Sequence, residues 1–556
     1  MDVQRVILLS VLSVLTYFLF LQWNQDYNQP VVQEISSSPV VASSVSDLPS
    51  AESVSADIPA VVTGEPTSIA SEQATSQASV ISVVTDVLDI RIDARGGDII
   101  YAALPEHKAQ LNSPQSFVLL EQNANRTYVA QSGLVGRDGP DGRADGRPLY
   151  RSPQAEYSLD DNESLVVDLL YTTETGVEII KRYSFERGSY RVGMSYIVNN
   201  PSEDTFRATL FGQLKRDRSV DPTSSTSIGM SSYLGAVFST QDNNYQKVSF
   251  GDMDKGNFQR TSDSGWVAFS QHYFVSAWVP EAGQELTFQT RRANNEYIAG
   301  FLAPTFEVTP GASTEVNATL YVGPKDQTQL EATAPNLKLT VDYGWLWWIA
   351  YPLYWLLTTI QSFVGNWGLA IIGITVVVKG ALFHLNAKAF RSMAKMRKFG
   401  PEMMRMKELY GDDRQKMSQE MMKLYKKEQI NPLGGCLPIL AQMPVFIALY
   451  WVLMESVELR HAPFFGYIQD LSVMDPYFIL PILMGVTMFL QQKLNPTPPD
   501  PMQAKIMKML PIVFTFFFLW FPAGLVLYWL VNNILSIAQQ WYITKQIEKE
   551  DVKKAA

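Results

Sequence analysis

One cysteine, Cys436, stands among 556 residues, so no intramolecular disulfide can form and no thiol cluster exists to hold zinc or iron. Histidine is nearly as scarce: His107, His272, His384 and His461 are the whole supply, and none shares a metal-ligand spacing with another. There is no Walker A pattern, no HExxH and no Cys/His cluster, which argues against nucleotide hydrolysis, a metal centre or a bound cofactor. Charge is missing over long stretches. Tyr343–Val378 and Met509–Thr544 are each thirty-six residues without Asp, Glu, Lys or Arg. Such runs belong in a membrane or at its surface.

The formal net charge of −10 hides an asymmetry. Residues 1–340 carry 24 Lys/Arg against 40 Asp/Glu, a net of −16; residues 341–556 carry 21 against 15, a net of +6. An acidic front half and a basic, apolar back half suggest two compartments. Residues 1–23 begin the chain with an apolar run, Val6–Trp23, behind Arg5. No small-residue cleavage site follows it, so an uncleaved transmembrane anchor is expected. Residues 24–85 are rich in Ser, Val, Ala, Pro and Thr and read as a disordered tether.

From Asp86 to Leu330 the texture is short alternating strands punctuated by Gly, Asn, Asp and Pro, as in SLVVDLLYTT, VEIIKRYSF and STEVNATLYVG. One large all-β sandwich domain is expected over 86–330. A cleft for an extended polymer is compatible with it. A sugar enzyme of mutarotase type would need paired catalytic histidines, and only His107 and His272 lie here, with no motif around either.

The back half is read around Asn366–Asn386, an apolar helix about long enough to span a bilayer. It carries Lys379 thirteen residues after its start, with Thr375 one turn earlier on the same face. A lysine at such depth costs about 2.5–3.5 kcal/mol on insertion scales and faces a protein interior or watered cavity. The competing reading is a lysine that snorkels to the nearest headgroups. Parity places the neighbouring run, Trp345–Val364 with its tryptophans and tyrosines, in the outer interface as an amphipathic helix within 331–365. Otherwise the basic segment that follows would fall outside. Lys388–Lys427 holds twelve Lys/Arg against five Asp/Glu, a cytoplasmic signature.

That segment, 388–430, reads as a helical hairpin turning at Gly411-Asp412-Asp413, with Met393, Met396, Met403, Met406, Met417, Met421 and Met422 at roughly helical spacing. The methionines either pack the hairpin on itself or offer an adaptable surface to varied apolar clients. Further spans are expected at about 433–454, 476–492, 505–521 and 524–543, with a cytoplasmic tail over 546–556. The expectation is a multi-domain chain: a polytopic α-helical membrane core of six spans, counting the N-terminal anchor, plus a large all-β periplasmic sandwich domain, with both termini in the cytoplasm.

Six segments, in order, carry a resemblance. GNWGLAIIGITVVVKG, SMAKMRKFGP, SQEMMKLYK, NPLGGCLPILAQMPVFIALYWVLM, DPYFILPILMGVTMFLQQK and FFFLWFPAGLVLYWLVNN resemble the core of the YidC family of membrane-protein insertases over about 343–545. The first span, tether and β-domain resemble its Gram-negative members more loosely. The resemblance implies a five-helix core with a hydrophilic groove open to the cytoplasm and to lipid, without catalysis or ATP. It implies as partners nascent membrane proteins, the Sec translocon and its accessory subunits, the ribosome by way of the basic loop and tail, and membrane lipids, with no nucleic-acid substrate. It places a basic residue in the groove, here Lys379 where arginine is commoner. Lysine keeps the charge and loses the planar fork that grips carboxylates bidentately. It further implies that a client slides along the helices carrying Gln442 and Trp520, with Thr375, Lys379, Tyr528 and Asn532 on the groove side. Two other classes compete with this: a solute transporter using Lys379 as counter-ion, for which no internal repeat is visible, and a periplasmic binding module on a membrane anchor.

Overall fold

The computed structural model describes residues 58–59, 80–143, 146–223, 232–410, 413–427, 437–495 and 501–555. The expected first span at 1–23, most of the tether and Cys436 lie outside the described residues.

The front half is a sandwich of two sheets. The ten-stranded sheet runs in order through Gln259–Ser262, Leu286–Ala293, Glu296–Val308, Phe206–Arg216, Thr127–Val135, Ser116–Gln122, Asp98–Lys108, Asp89–Asp93, Val80–Val84 and Glu156–Ser158. The eight-stranded sheet runs through Gln246–Val248, Gly235–Thr240, Gly265–Ser270, Phe274–Pro280, Ser313–Pro324, Arg191–Asn199, Glu178–Glu186 and Ser164–Thr172. All neighbours are antiparallel except Val80–Val84 with Glu156–Ser158.

The strands form where the side chains alternate. Arg191–Asn199 buries Val192, Met194, Tyr196 and Val198 and leaves the intervening residues half exposed. Its neighbour Glu178–Glu186 pairs with it from Glu178 opposite Asn199 and buries Ile179, Tyr183 and Phe185 on the same face. Period-2 burial fixes the register, because a one-residue slip would turn every apolar group outward. Trp278 stitches the layers: its ring is buried and its indole N–H donates to the Gln213 carbonyl of the other sheet at 3.1 Å. The first strand starts at Val80, inside the stretch expected as tether, because Ile81 and Val83 alternate into the core opposite Ile92 and Ile90.

The back half is helical: α1 (Trp347–Val364), α2 (Trp367–Ala381), α3 (Phe383–Lys398), α4 (Gly400–Tyr410), α5 (Arg414–Lys427), α6 (Leu437–Glu455), α7 (Ile479–Leu494), α8 (Pro501–Phe517) and α9 (Ala523–Ala555). The single helix expected over 366–386 is in fact two. It bends by 67° at Leu382, and the pair α2–α3 has the length and hydropathy of a membrane crossing only when taken together. Among the described residues no single helix meets that criterion; Leu440–Glu455 and Ile479–Leu494 are shorter apolar helices. The segment expected as one arm of a hairpin breaks at Phe399 into α3 and α4, and the expected tail continues α9 without interruption.

The halves are joined by buried polar contacts. Glu455, at the end of α6, is buried 3.6 Å from the equally buried Lys325 and accepts from Ser232 Oγ at 2.7 Å. The His272 ring meets the Met454 carbonyl at 2.8 Å. From the 456–475 loop, Arg460 donates to the Lys108 and Ala109 carbonyls at 2.7 and 3.0 Å and lies over the rings of Phe117 and Phe274.

Candidate functional site

The helix ends nearest this loop share one anchor. Asn366, the cap of α2, donates to the Pro463 carbonyl at 3.2 Å; Ala523 and Gly524 at the start of α9 donate to Val473 and Leu471 at 2.7 and 2.9 Å. Glu455 ends α6 there. Counting inward, Lys379 is twelve residues past Trp367, Ser536 thirteen past Ala523 and Gln442 thirteen before Glu455. At ~1.5 Å per residue all three lie about 18–20 Å from those ends.

They meet at that depth. Lys379 Nζ donates to Ser536 Oγ at 2.7 Å and to Gln442 Oε1 at 3.3 Å. Gln442 Nε2 in turn donates to Asn532 Oδ1, and Ser536 Oγ donates to the Asn532 carbonyl at 2.7 Å. Lys379 is 8% exposed, so its charge is held by protein dipoles rather than bulk water. The bend at Leu382 helps in a second way. Lys379 falls in the last turn of α2, where the helix dipole and the free carbonyls favour a cation. The lysine therefore sits near the end of one helix and not inside a single one running to Asn386.

Thr375 is buried one turn before Lys379, and its hydroxyl donates back to the Ile371 carbonyl at 2.6 Å, so the α2 stripe is self-satisfied above the lysine. Tyr528 is buried one turn before Asn532, its ring stacked near Phe446 at 6.2 Å. Trp520 is not part of the cluster. It lies in the turn between α8 and α9, packed edge-on against Phe516 at 4.8 Å, and the stretch of α9 from Ala523 to Asn532 adds about 13–14 Å at helical rise. Ser536 completes the cluster. Its spacing of four from Asn532 was the signal available in sequence.

On the far side of Lys379 from the loop, a cavity of about 200 Å³ is lined by Val376, Lys379, Gly380, Phe383, Leu535 and Gln539. Gln539 Nε2 donates to the Phe383 carbonyl at 3.1 Å across the bend. With Asn533 reaching Thr487 at 3.4 Å and Gln540 reaching Asn495 at 3.0 Å, the inward faces of α9 are amide-rich from Asn532 to Gln540. Its lining is mostly apolar, with Lys379 and Gln539 as the polar side chains.

Residues 80–356 match the family described as YidC periplasmic domain, and residues 359–550 match the 60Kd inner membrane protein family. The membrane protein insertase YidC of a Marinomonas species is 56% identical over 556 residues, covering 99% of this chain and 100% of its own. That of Stutzerimonas stutzeri is 56% identical over 554 residues, covering 99% of both. The chain belongs to the YidC family. Among solved structures, an active YidC insertase crystal structure with its first transmembrane domain resolved aligns with 84% of this chain and 93% of its own, at 17% identity and a TM-score of 0.38. The YidC assignment places the chain in the inner membrane with its β-sandwich in the periplasm.

Proposed function

We propose that this chain inserts and folds integral membrane proteins into the inner membrane through a hydrophilic groove built around Lys379, with the Sec translocon or alone. The observation that carries the reading is the buried amine of Lys379, held by Ser536 and Gln442 beside a 200 Å³ cavity. A cluster about 18–20 Å from the outer helix ends leaves roughly 10 Å of a ~30 Å hydrocarbon core on the cytoplasmic side. A polar tail entering from the cytoplasm meets the charge after that short distance. Lys379 attracts acidic residues in the tail, and the client's apolar helix then partitions into lipid, which supplies the free energy without ATP.

In this reading the chain crosses the membrane six times with both termini in the cytoplasm. The basic segment α3–α5 captures nascent chains and, with the end of α9, faces the ribosome. Thr375, Tyr528 and Asn532 border the client path, Gln442 and Trp520 mark the helices it slides along, and the protein performs no covalent chemistry.

Purified protein in liposomes is offered a small single-span client and, separately, radiolabelled solutes. Protease-protected client without solute uptake is the expected result. Solute accumulation without client insertion would replace the reading with transport on the same lysine.

A further inference from the structure

The outer face of a sandwich sheet is ordinarily polar, yet three adjacent strands of the ten-stranded sheet place apolar groups there. Alternation fixes the direction. Leu210 and Leu214 point into the sandwich, so Phe211 points out; Leu134 points in, so Val135 points out. Phe211 is paired in register with Leu302 on one side and with Gly133 on the other. The absent side chain at Gly133 leaves room for the Phe211 ring and for Asp141, and the Arg147 guanidinium lies 5.9 Å from the ring centre.

Despite facing outward, Phe211 is 0% exposed and Val135 1%. The group that covers them is remote in sequence. Ile58 is itself 7% exposed and packs in one apolar cluster with Val135, Phe211 and Leu302, and Pro59 beside it is buried.

We infer that this notch is a peptide-binding site whose resident ligand is the chain's own Ile58–Pro59. The chemistry suits the pair. A residue before proline is held extended, and proline has no N–H to leave unpaired against a sheet face. The branched Ile58 supplies the apolar knob. Beside the notch, the outward Gln213 donates to Gln131 at 2.8 Å, Gln131 to Asp98 at 2.9 Å, and Arg291 to Gln213 at 2.6 Å, a buried polar strip flanking the apolar seat. Ile58 is 22 residues before Val80, so the segment between the first apolar run and the β-domain is pinned to the sheet well before the first strand. The notch thus takes an extended segment with a branched apolar residue followed by proline. The covalently attached copy holds it at high effective concentration.

Two measurements test this on the full chain with Cys436→Ser. In the first, Ile58→Cys is combined with Leu302→Cys, and as a control with Ser184→Cys, which is exposed on the outer face of the other sheet. Oxidation in membranes should cross-link the first pair and leave the control open. Equal cross-linking of both pairs, or of neither, overturns the site. In the second, a fluorescent peptide of residues 52–64 is added to the Ile58→Asp chain, whose notch is intact and vacated. Saturable binding that is lost when the peptide carries Ile58→Asp supports the site; identical binding of both peptides, or of neither, overturns it. Neither measurement reads insertion activity, so the outcome is independent of the function proposed above.

Discussion

Replacing Lys379 by leucine removes one charge and two hydrogen bonds while leaving its partners joined to each other. Ser536 Oγ still donates to the Asn532 carbonyl, and Gln442 still donates to Asn532 Oδ1. Each loses only an accepted bond, at about 1 kcal/mol. The bundle should therefore stay assembled. The effect on a client is larger. A carboxylate passing about 6 Å from Nζ at an effective dielectric near 20 gains roughly 3 kcal/mol, about a hundredfold in occupancy. Lys379→Leu should then cut insertion of a client with an acidic translocated tail by up to about a hundredfold, and spare the same client with Asn and Gln in place of Asp and Glu. Lys379→Arg should support both. The assay is protease protection of the tail in proteoliposomes with the paired clients. Equal loss for both clients would refute electrostatic attraction and leave Lys379 a structural residue.

Lys325→Met should strand Glu455 without its buried counter-charge and destabilise the junction of sandwich and helices by about 3–5 kcal/mol; adding Glu455→Gln should recover most of it, read as the midpoint of chemical unfolding. Burial, then the nearby Arg460, pushes the His107 imidazole down to about 4 from its ordinary 6.5. Above pH 6.5 the ring is neutral folded or unfolded; as pH falls below that value the unfolded chain takes up a proton that the folded one refuses. The sandwich should lose about 2–3 kcal/mol between pH 7 and 4.5, and His107→Phe should flatten that slope in unfolding curves. Deleting 391–427 should abolish cross-linking to a stalled nascent chain while the remaining helices still resist proteolysis; unchanged cross-linking would remove the docking role of that segment.

What could be read in the chain follows from the range of the forces involved. Strands such as Glu178–Glu186 announce themselves by alternation, and the charge-free runs by composition, because both are properties of neighbours in sequence. Lys379 was legible as an anomaly, a cation in an apolar run. That Gln442 and Ser536 bond to it was not, since Gln442 lies 63 residues away and Ser536 157, and only folding shows which polar groups share a depth. The bend at Leu382 has no proline to mark it, and Gly380, two residues before it, is a weak breaker inside an apolar run. Buried cations in the sandwich were equally silent. Lys181, fully buried and bonded to the Gly96 and Ser132 carbonyls at 2.9 and 3.0 Å, shares the inward face of its strand with Ile179, Tyr183 and Phe185, and its acceptors lie 85 and 49 residues away in the chain. Trp520, expected along the client path, packs against Phe516 in the turn between α8 and α9.

On the function proposed, a client leaves the Lys379 groove along one seam, beside α6 and α8. Photo-cross-linkers at Leu440, Met443 and Phe516 test it against others at Ile482, Val486 and Phe489, outward positions of α7 about half exposed. A stalled nascent membrane protein should label the first three and spare the second three. Uniform labelling of all six, or labelling confined to α7, would contradict the account.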